Sequence, residues 1–232
     1  MKKKYLIVAA HPDDETLGCG GLIYSLREKN HPIKVVFIGE GSSCRFDKKS
    51  KKKDIEKEIE KRQKHCLAAL KVLKVKNYSF YNLPCGKFDQ IPIIEIGKII
   101  ENEIKNFKPN VIITHSPNDV HIDHKTCFQA TLQATRPGSK NENIDTVMSF
   151  EIPSSSDKSY EKPFKPNFFV EIKDKSLKKK LKALQCYKTE VSKHPFSRSG
   201  QLIKSLAIVR GAQCGKYYAE AFSLIRNIDK VK

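Results

Sequence analysis

The chain has 232 residues, 39% of them hydrophobic and 30% charged, with 44 Lys and Arg against 26 Asp and Glu for a formal net charge of +18. That length fits one α/β domain with a full core better than two ordinary ones, and the apolar stretches are strand-sized, which argues against a membrane span. The charge invites a nucleic-acid partner, but only seven of the basic residues are arginines and acids interleave at helical spacing in "DKKSKKKDIEKEIEKRQKH". A solvated lysine-rich surface is therefore expected, with no specific nucleic acid, while peripheral contact with anionic lipid is permitted.

In chain order, Lys4 to Ala10 predicts a buried strand and Leu17 to Asn30 a helix. The basic start "MKKKYLIVAA" lacks the long apolar part and small-residue cleavage site of a signal peptide, so a cytoplasmic protein is expected. Pro32 to Gly39 is a second strand, Asp54 to Leu73 a helix, "NYSFYNLP" a short strand, Pro92 to Phe107 a helix, and "KPNVIITH" a buried strand ending at His115. The second half is less regular: a helix over His124 to Thr135, strands at "DTVMSFEIP" and "NFFVEI", an amphipathic helix in "KSLKKKLKALQCYKTE", a helix over Ser199 to Arg210, and a closing "YYAEAFSLI". The alternation predicts an α/β class fold over residues 1–232, a single domain with a Rossmann-like, mostly parallel sheet and helices on both faces. Long connections near 39–53, 114–123, 153–166 and 188–199 are expected to line a site at the carboxyl ends of the strands.

Seven cysteines, Cys19, Cys44, Cys66, Cys85, Cys127, Cys186 and Cys214, form no C-x-x-C pair. The odd count speaks for reduced thiols, mostly small buried residues, and against a disulfide framework or a thiolate zinc ribbon.

Two polar clusters stand at predicted strand ends: "HPDDE" from His11 to Glu15, and "THSPNDVHIDH" ending at His124. His11 and Asp14 offer a nitrogen and an oxygen ligand and His124 a third, the two-histidine, one-carboxylate build of a catalytic zinc site with an open position. Iron is accepted by the same ligand types. Asp13, beside a ligand without needing to be one, can take a proton from metal-bound water, leaving His121 and Asp123 to orient ligands or stabilise charge. The ordinary alternatives are that Asp13, Asp14 and Glu15 cap a helix, that His121 and His124 are surface histidines, and that His115 is a core residue at a strand end. The run "LGCGG" lacks the G-x-G-x-x-G spacing, and the acids before it would repel a pyrophosphate.

"AHPDDE" at Ala10 to Glu15, with H-x-D-H at His121 to His124, resembles the zinc-dependent LmbE-like family, the PIG-L-type N-acetylglucosamine de-N-acetylases. "GEGSSCR", the helix bearing Arg62, "SFEIPSS" and "YYAEAF" also look like family segments. The resemblance implies a Zn2+ hydrolase that removes an N-acetyl group from an amino-sugar conjugate, with His11, Asp14 and His124 as ligands and Asp13 as general base. His121 is implied to stabilise or protonate developing charge with Asp123 oriented beside it, and Arg62 to hold the sugar; Arg45 is a weaker substrate contact. A small N-acetylated amino sugar is the implied partner, and homo-oligomers are common in the family. Where some members carry a tyrosine two residues before the histidine matching His121, this chain has Asp119, which receives no role. The competing readings are a non-catalytic sugar- or nucleotide-binding protein on the same fold, and an amidase for a non-sugar amide.

Overall fold

The strand that is apolar on both faces lies in the interior of a seven-stranded sheet. In the computed structural model, which describes residues 2–138 and 143–229, β1 (Tyr5–Ala9) is flanked on one side by β2 (Ile33–Gly39) and β3 (Asn77–Leu83). On its other side lie β4 (Val111–His115) and β5 (Thr146–Phe150), then β7 (Ala219–Asn227) and, at the edge, β6 (Phe168–Glu171). β1 to β5 pair in parallel, and β7 runs antiparallel to both its neighbours.

Successive side chains of a strand point to opposite faces, and β1 shows the consequence. Ile7 and Ala9 enter one core with Leu17, Ile23, Leu70 and Leu184, from α1 (Asp14–Glu28), α2 (Lys52–Val72) and α5 (Asp174–Leu184). Leu6 and Val8 enter the other with Ile96, Ile100, Ile104 and Ala130, from α3 (Ile93–Phe107) and α4 (Ile122–Ala134). The last helix, α6 (Gly200–Gln213), adds Ile203 to the first core. The mostly parallel α/β architecture read from the sequence is thus the one observed. No helix among the described residues is long and apolar enough to cross a membrane.

Three differences from the expected boundaries matter. α1 begins at Asp14 rather than Leu17, so Asp14 and Glu15 lie inside its first turn, where acids are favourable. α4 begins at Ile122, which puts Asp123 and His124 on its first turn. α5 stops at Leu184, and Tyr187 reaches inward from beyond the helix to donate to Glu15 Oε1 at 2.8 Å.

The run "LGCGG" serves helix-to-sheet contact. A Cβ at Gly18 would sit 2.5 Å from the Phe150 ring, so only glycine lets α1 approach β5 this closely. At Cys19 the backbone leaves helical geometry (φ −147°), and Glu220 accepts from the Gly21 and Leu22 N–H groups just beyond, at 2.9 and 2.6 Å.

The chain runs outward from β1 through β2 to β3, then returns to place β4 on the opposite side of β1. That reversal opens a crevice at the carboxyl ends of β1 and β4, where ligands bind in open α/β sheets. Both polar clusters follow those two strands.

Candidate metal centre and active site

Five consecutive parallel strands contribute to one rim: His11 to Asp14 follow β1, Glu40 to Arg45 follow β2, Cys85 to Phe88 follow β3, Asp119 to His124 follow β4, and Ser154 to Ser156 follow β5. Glu190 and Arg198 reach it from the segment between α5 and α6.

His11, Asp14 and His124 meet in the buried floor. Asp14 Oδ2 lies 3.7 Å from His11 Nδ1 and 3.5 Å from His124 Nε2, close to the edge of about 3.4 Å that a tetrahedral ion with bonds near 2.1 Å requires. Each histidine has its far nitrogen tied to a carboxylate: His11 Nε2 to Asp123 Oδ2 at 2.8 Å, and His124 Nδ1 to Asp119 Oδ2 at 3.1 Å. Those carboxylates can only accept, so the protons sit on the far nitrogens and the lone pairs turn toward Asp14. Burial pushes His11 well below its ordinary pKa, which favours the neutral imidazole, and raises Asp14 to about 7. His124, also buried, is nonetheless raised because Asp14 and Asp119 flank it. The donor set fits one divalent ion. A second, overlapping group, His11, Cys85, His121 and Asp123, shares His11.

Asp13 sits beside this centre on a strained backbone. Its φ of 124° is a conformation L residues rarely adopt, and such strain costs about 1–3 kcal/mol unless the surroundings enforce it. The enforcement is visible: Glu15 Oε2 accepts from Asp13 N–H at 3.1 Å, and Arg62 Nε donates to Pro12 O at 2.9 Å. Asp13 makes no side-chain cap, and its carboxylate instead accepts from Arg62 at 3.0 Å through Oδ1 and from Arg198 at 2.8 Å through Oδ2. Burial raises its pKa, and the two arginines oppose that rise. Glu190 completes the group, bidentate with Arg45 at 2.8 and 2.6 Å and 3.1 Å from both Arg62 and Arg198.

The matches to known proteins follow the same residues. The family model for PIG-L, GlcNAc-PI de-N-acetylase, matches residues 6–135, more than half of the chain and the part that holds His11 to Glu15, Arg62 and His121 to His124. The chain belongs to the PIG-L family. Diacetylchitobiose deacetylase of Thermococcus kodakarensis is 23% identical over 231 residues, covering 97% of this chain and 84% of that one. The solved N,N'-diacetylchitobiose deacetylase of Pyrococcus horikoshii, complexed with an inhibitor, superposes with a TM-score of 0.78 at 19% identity, over 97% of this chain and 84% of that one. A 4-carboxy-2-hydroxymuconate hydratase of Pseudomonas putida superposes with a TM-score of 0.74 at 19% identity, over 100% and 99% of the chains, so the fold by itself does not fix the reaction.

In this PIG-L protein Asp123 orients a candidate ligand, as its residue type allowed, though not beside His121 as the resemblance implied, and Arg62 is turned into the protein. The Asp123 carboxylate faces His11 and accepts from the Gly86 and Phe88 N–H groups at 2.6 and 3.1 Å; only its backbone N–H touches His121, donating to Nδ1 at 3.2 Å. Arg62 is buried, with its guanidinium spent on Pro12 O, Gly41 O, Asp13 and Glu190. His115 is a buried strand-end residue whose Nε2 accepts from Ala10 N–H at 2.8 Å while its ring stacks on His124 at 4.1 Å.

Sequence reasoning missed Glu190 and Arg198, and left Asp119 without a role. Asp119 is fully buried, accepts from Ser155 and Ser156 hydroxyls at 2.8 and 2.7 Å, and holds His124. The segment from 188 to 199 is a long connection that the fold places near the strand ends, which is the available signal; nothing local singles out its charged residues.

Proposed function

We propose that this protein is a metal-dependent N-deacetylase that hydrolyses the acetamide of an N-acetylated amino sugar, of the N-acetylglucosamine type, to acetate and a free amine. The observation that carries the reading is the pairing of two histidines, each locked by an outer carboxylate and aimed at Asp14, with a second buried carboxylate, Asp13, held beside them but turned to arginines. Zinc or iron held by His11, Asp14 and His124 supplies Lewis acidity toward the amide carbonyl and lowers the pKa of water.

Asp13 is the general base. Its raised pKa brings it nearer the working pH, while Arg62 and Arg198 keep it ionised and fix its direction. Once it holds the proton of the attacking water, the same carboxyl returns it to the leaving nitrogen, since an amide anion leaves too poorly. His121 Nδ1 accepts a backbone N–H, so its proton is on Nε2 and the neutral ring donates to the developing oxyanion; burial and the neighbouring His124 lower its pKa and favour that neutral form. Asp123 acts by positioning His11. Arg62 is assigned to bracing Asp13 rather than to holding the sugar, which leaves the more exposed Arg45 and Arg198 to meet substrate at the rim.

The test is acetate release from N,N'-diacetylchitobiose and other N-acetylglucosamine conjugates by zinc-loaded protein. Release with appearance of one free amine per acetate supports the reading. Binding of these sugars without acetate moves it to the non-catalytic alternative, and acetate from simple amides alone moves it to the non-sugar amidase.

A further inference from the structure

Two cysteines lie at the rim without a role in the reaction proposed above, Cys85 being the thiol of the second ligand group. Cys44, in the loop after β2, and Cys85, in the loop after β3, are free thiols with their sulfurs 3.0 Å apart, against about 2.05 Å for a disulfide. Cys44 is exposed, whereas Cys85 is buried.

The loops that carry them are already clamped together. Glu40 accepts from the Ser42 and Ser43 N–H groups at 2.5 and 3.0 Å and from Cys85 N–H at 2.8 Å, so one carboxylate spans both cysteine-bearing segments. Gly86 has φ +72°, and a Cβ there would stand 3.3 Å from Cys44 Cβ. Ring closure between residues 41 positions apart in sequence is thereby largely prepaid in the folded chain.

We propose that Cys44 and Cys85 are a modification site: a dithiol that closes to a reversible disulfide at the rim of the metal centre and, through Gly86, Asp123 and His11, weakens metal binding. The oxidant is a low-molecular-weight disulfide, RSSR. The Cys44 thiolate attacks one of its sulfurs, forming Cys44–S–SR and releasing one RS−; Cys85 then gives up its proton and attacks the Cys44 sulfur, expelling the second RS−. Two cysteine thiols are oxidised by two electrons, RSSR is reduced to two RSH, and the two cysteine protons end on those thiols.

The order of attack follows from exposure and charge. The hydrogen bond from Cys85 and the nearby Arg45 and Arg62 charges bring Cys44 down to about 7 against the effect of burial, so it offers thiolate near neutral pH, while Cys85 is raised by the same contact and by burial. The coupling runs through backbone. Gly86 N–H donates to Asp123 Oδ2 at 2.6 Å, the same oxygen that accepts from His11 Nε2 at 2.8 Å. Drawing Cys85 toward Cys44 moves its neighbour Gly86 and loosens the hold on His11.

The experiment equilibrates the zinc-loaded full chain with reduced and oxidised glutathione, then alkylates and maps the thiols by mass spectrometry. The expected result is loss of two alkylatable thiols, a linked 44–85 peptide that dithiothreitol removes, and no such peptide in Cys44→Ser or Cys85→Ser. Chelator competition with zinc alone should give a dissociation constant several-fold weaker for the bridged protein than for the reduced one, with no shift in the double serine variant under the same oxidant. Both cysteines remaining alkylatable, or a mixed disulfide stopping at Cys44, would overturn the proposal. A bridge that leaves zinc affinity unchanged would overturn the coupling to His11.

Discussion

Asp119 Oδ2 stands 3.1 Å from His124 Nδ1, with both side chains buried. The same carboxylate accepts from the Ser155 and Ser156 hydroxyls and from His121 N–H, so the loops after β4 and β5 and the first turn of α4 are fixed around one acceptor. Replacing an outer carboxylate of this kind lowers metal affinity by about 10–100-fold. Asp119→Asn is therefore expected to weaken zinc by about the lower of these factors and Asp119→Ala by about the higher, read by chelator competition. Unchanged affinity in both variants would remove Asp119 from the account.

Glu190 provides a pH test away from the metal ligands. Burial raises its pKa, but the Arg45 hydrogen bonds and the charges of Arg62, Arg45 and Arg198 outweigh this and bring it to about 2, below the ordinary 4.5. A depressed carboxylate contributes stability that is present above its unfolded pKa and is lost as pH falls through the folded one. Glu190→Gln should thus be destabilised at neutral pH, by about 3 kcal/mol for a buried ionic network deprived of one partner. The gap to wild type should narrow between pH 4.5 and 2, as followed by thermal unfolding in that range. A gap that is constant across the range would show that Glu190 acts by packing alone.

Gly18 tests why the glycine-rich run is there. With ring carbons of Phe150 2.5 Å from a built Cβ, Gly18→Ala overpacks the α1–β5 contact, which costs about 1–3 kcal/mol. Denaturant unfolding should show that loss, and adding Phe150→Leu should recover part of it. Full stability of Gly18→Ala would mean the contact is looser than described.

The fold and the meeting of the two polar clusters were legible because their signals are local. β1 and β4 are short apolar runs that stop at polar clusters, and parallel strands put both clusters on one rim. Asp14 and His124 could be named as candidate ligands because their ligand chemistry is intrinsic to the residue type. Asp119 could be located but not understood: its role rests on Ser155 and Ser156, which arrive after β5. Arg198 was invisible because it meets Asp13 across 185 positions from an irregular segment, and which histidine Asp123 orients was not legible because its other partners, at Gly86 and Phe88, are backbone N–H groups that no sequence pattern displays.

The most direct measurement is metal content together with acetate release, on wild type, Asp13→Asn and His124→Ala, before and after chelation and return of zinc. The expected result is about one ion per wild-type chain and activity that vanishes on chelation and returns with zinc. Asp13→Asn should keep the ion and lose most turnover, and His124→Ala should lose both. Acetate release by wild type that is indifferent to chelation, or near wild-type turnover in Asp13→Asn at saturating substrate, would contradict the account.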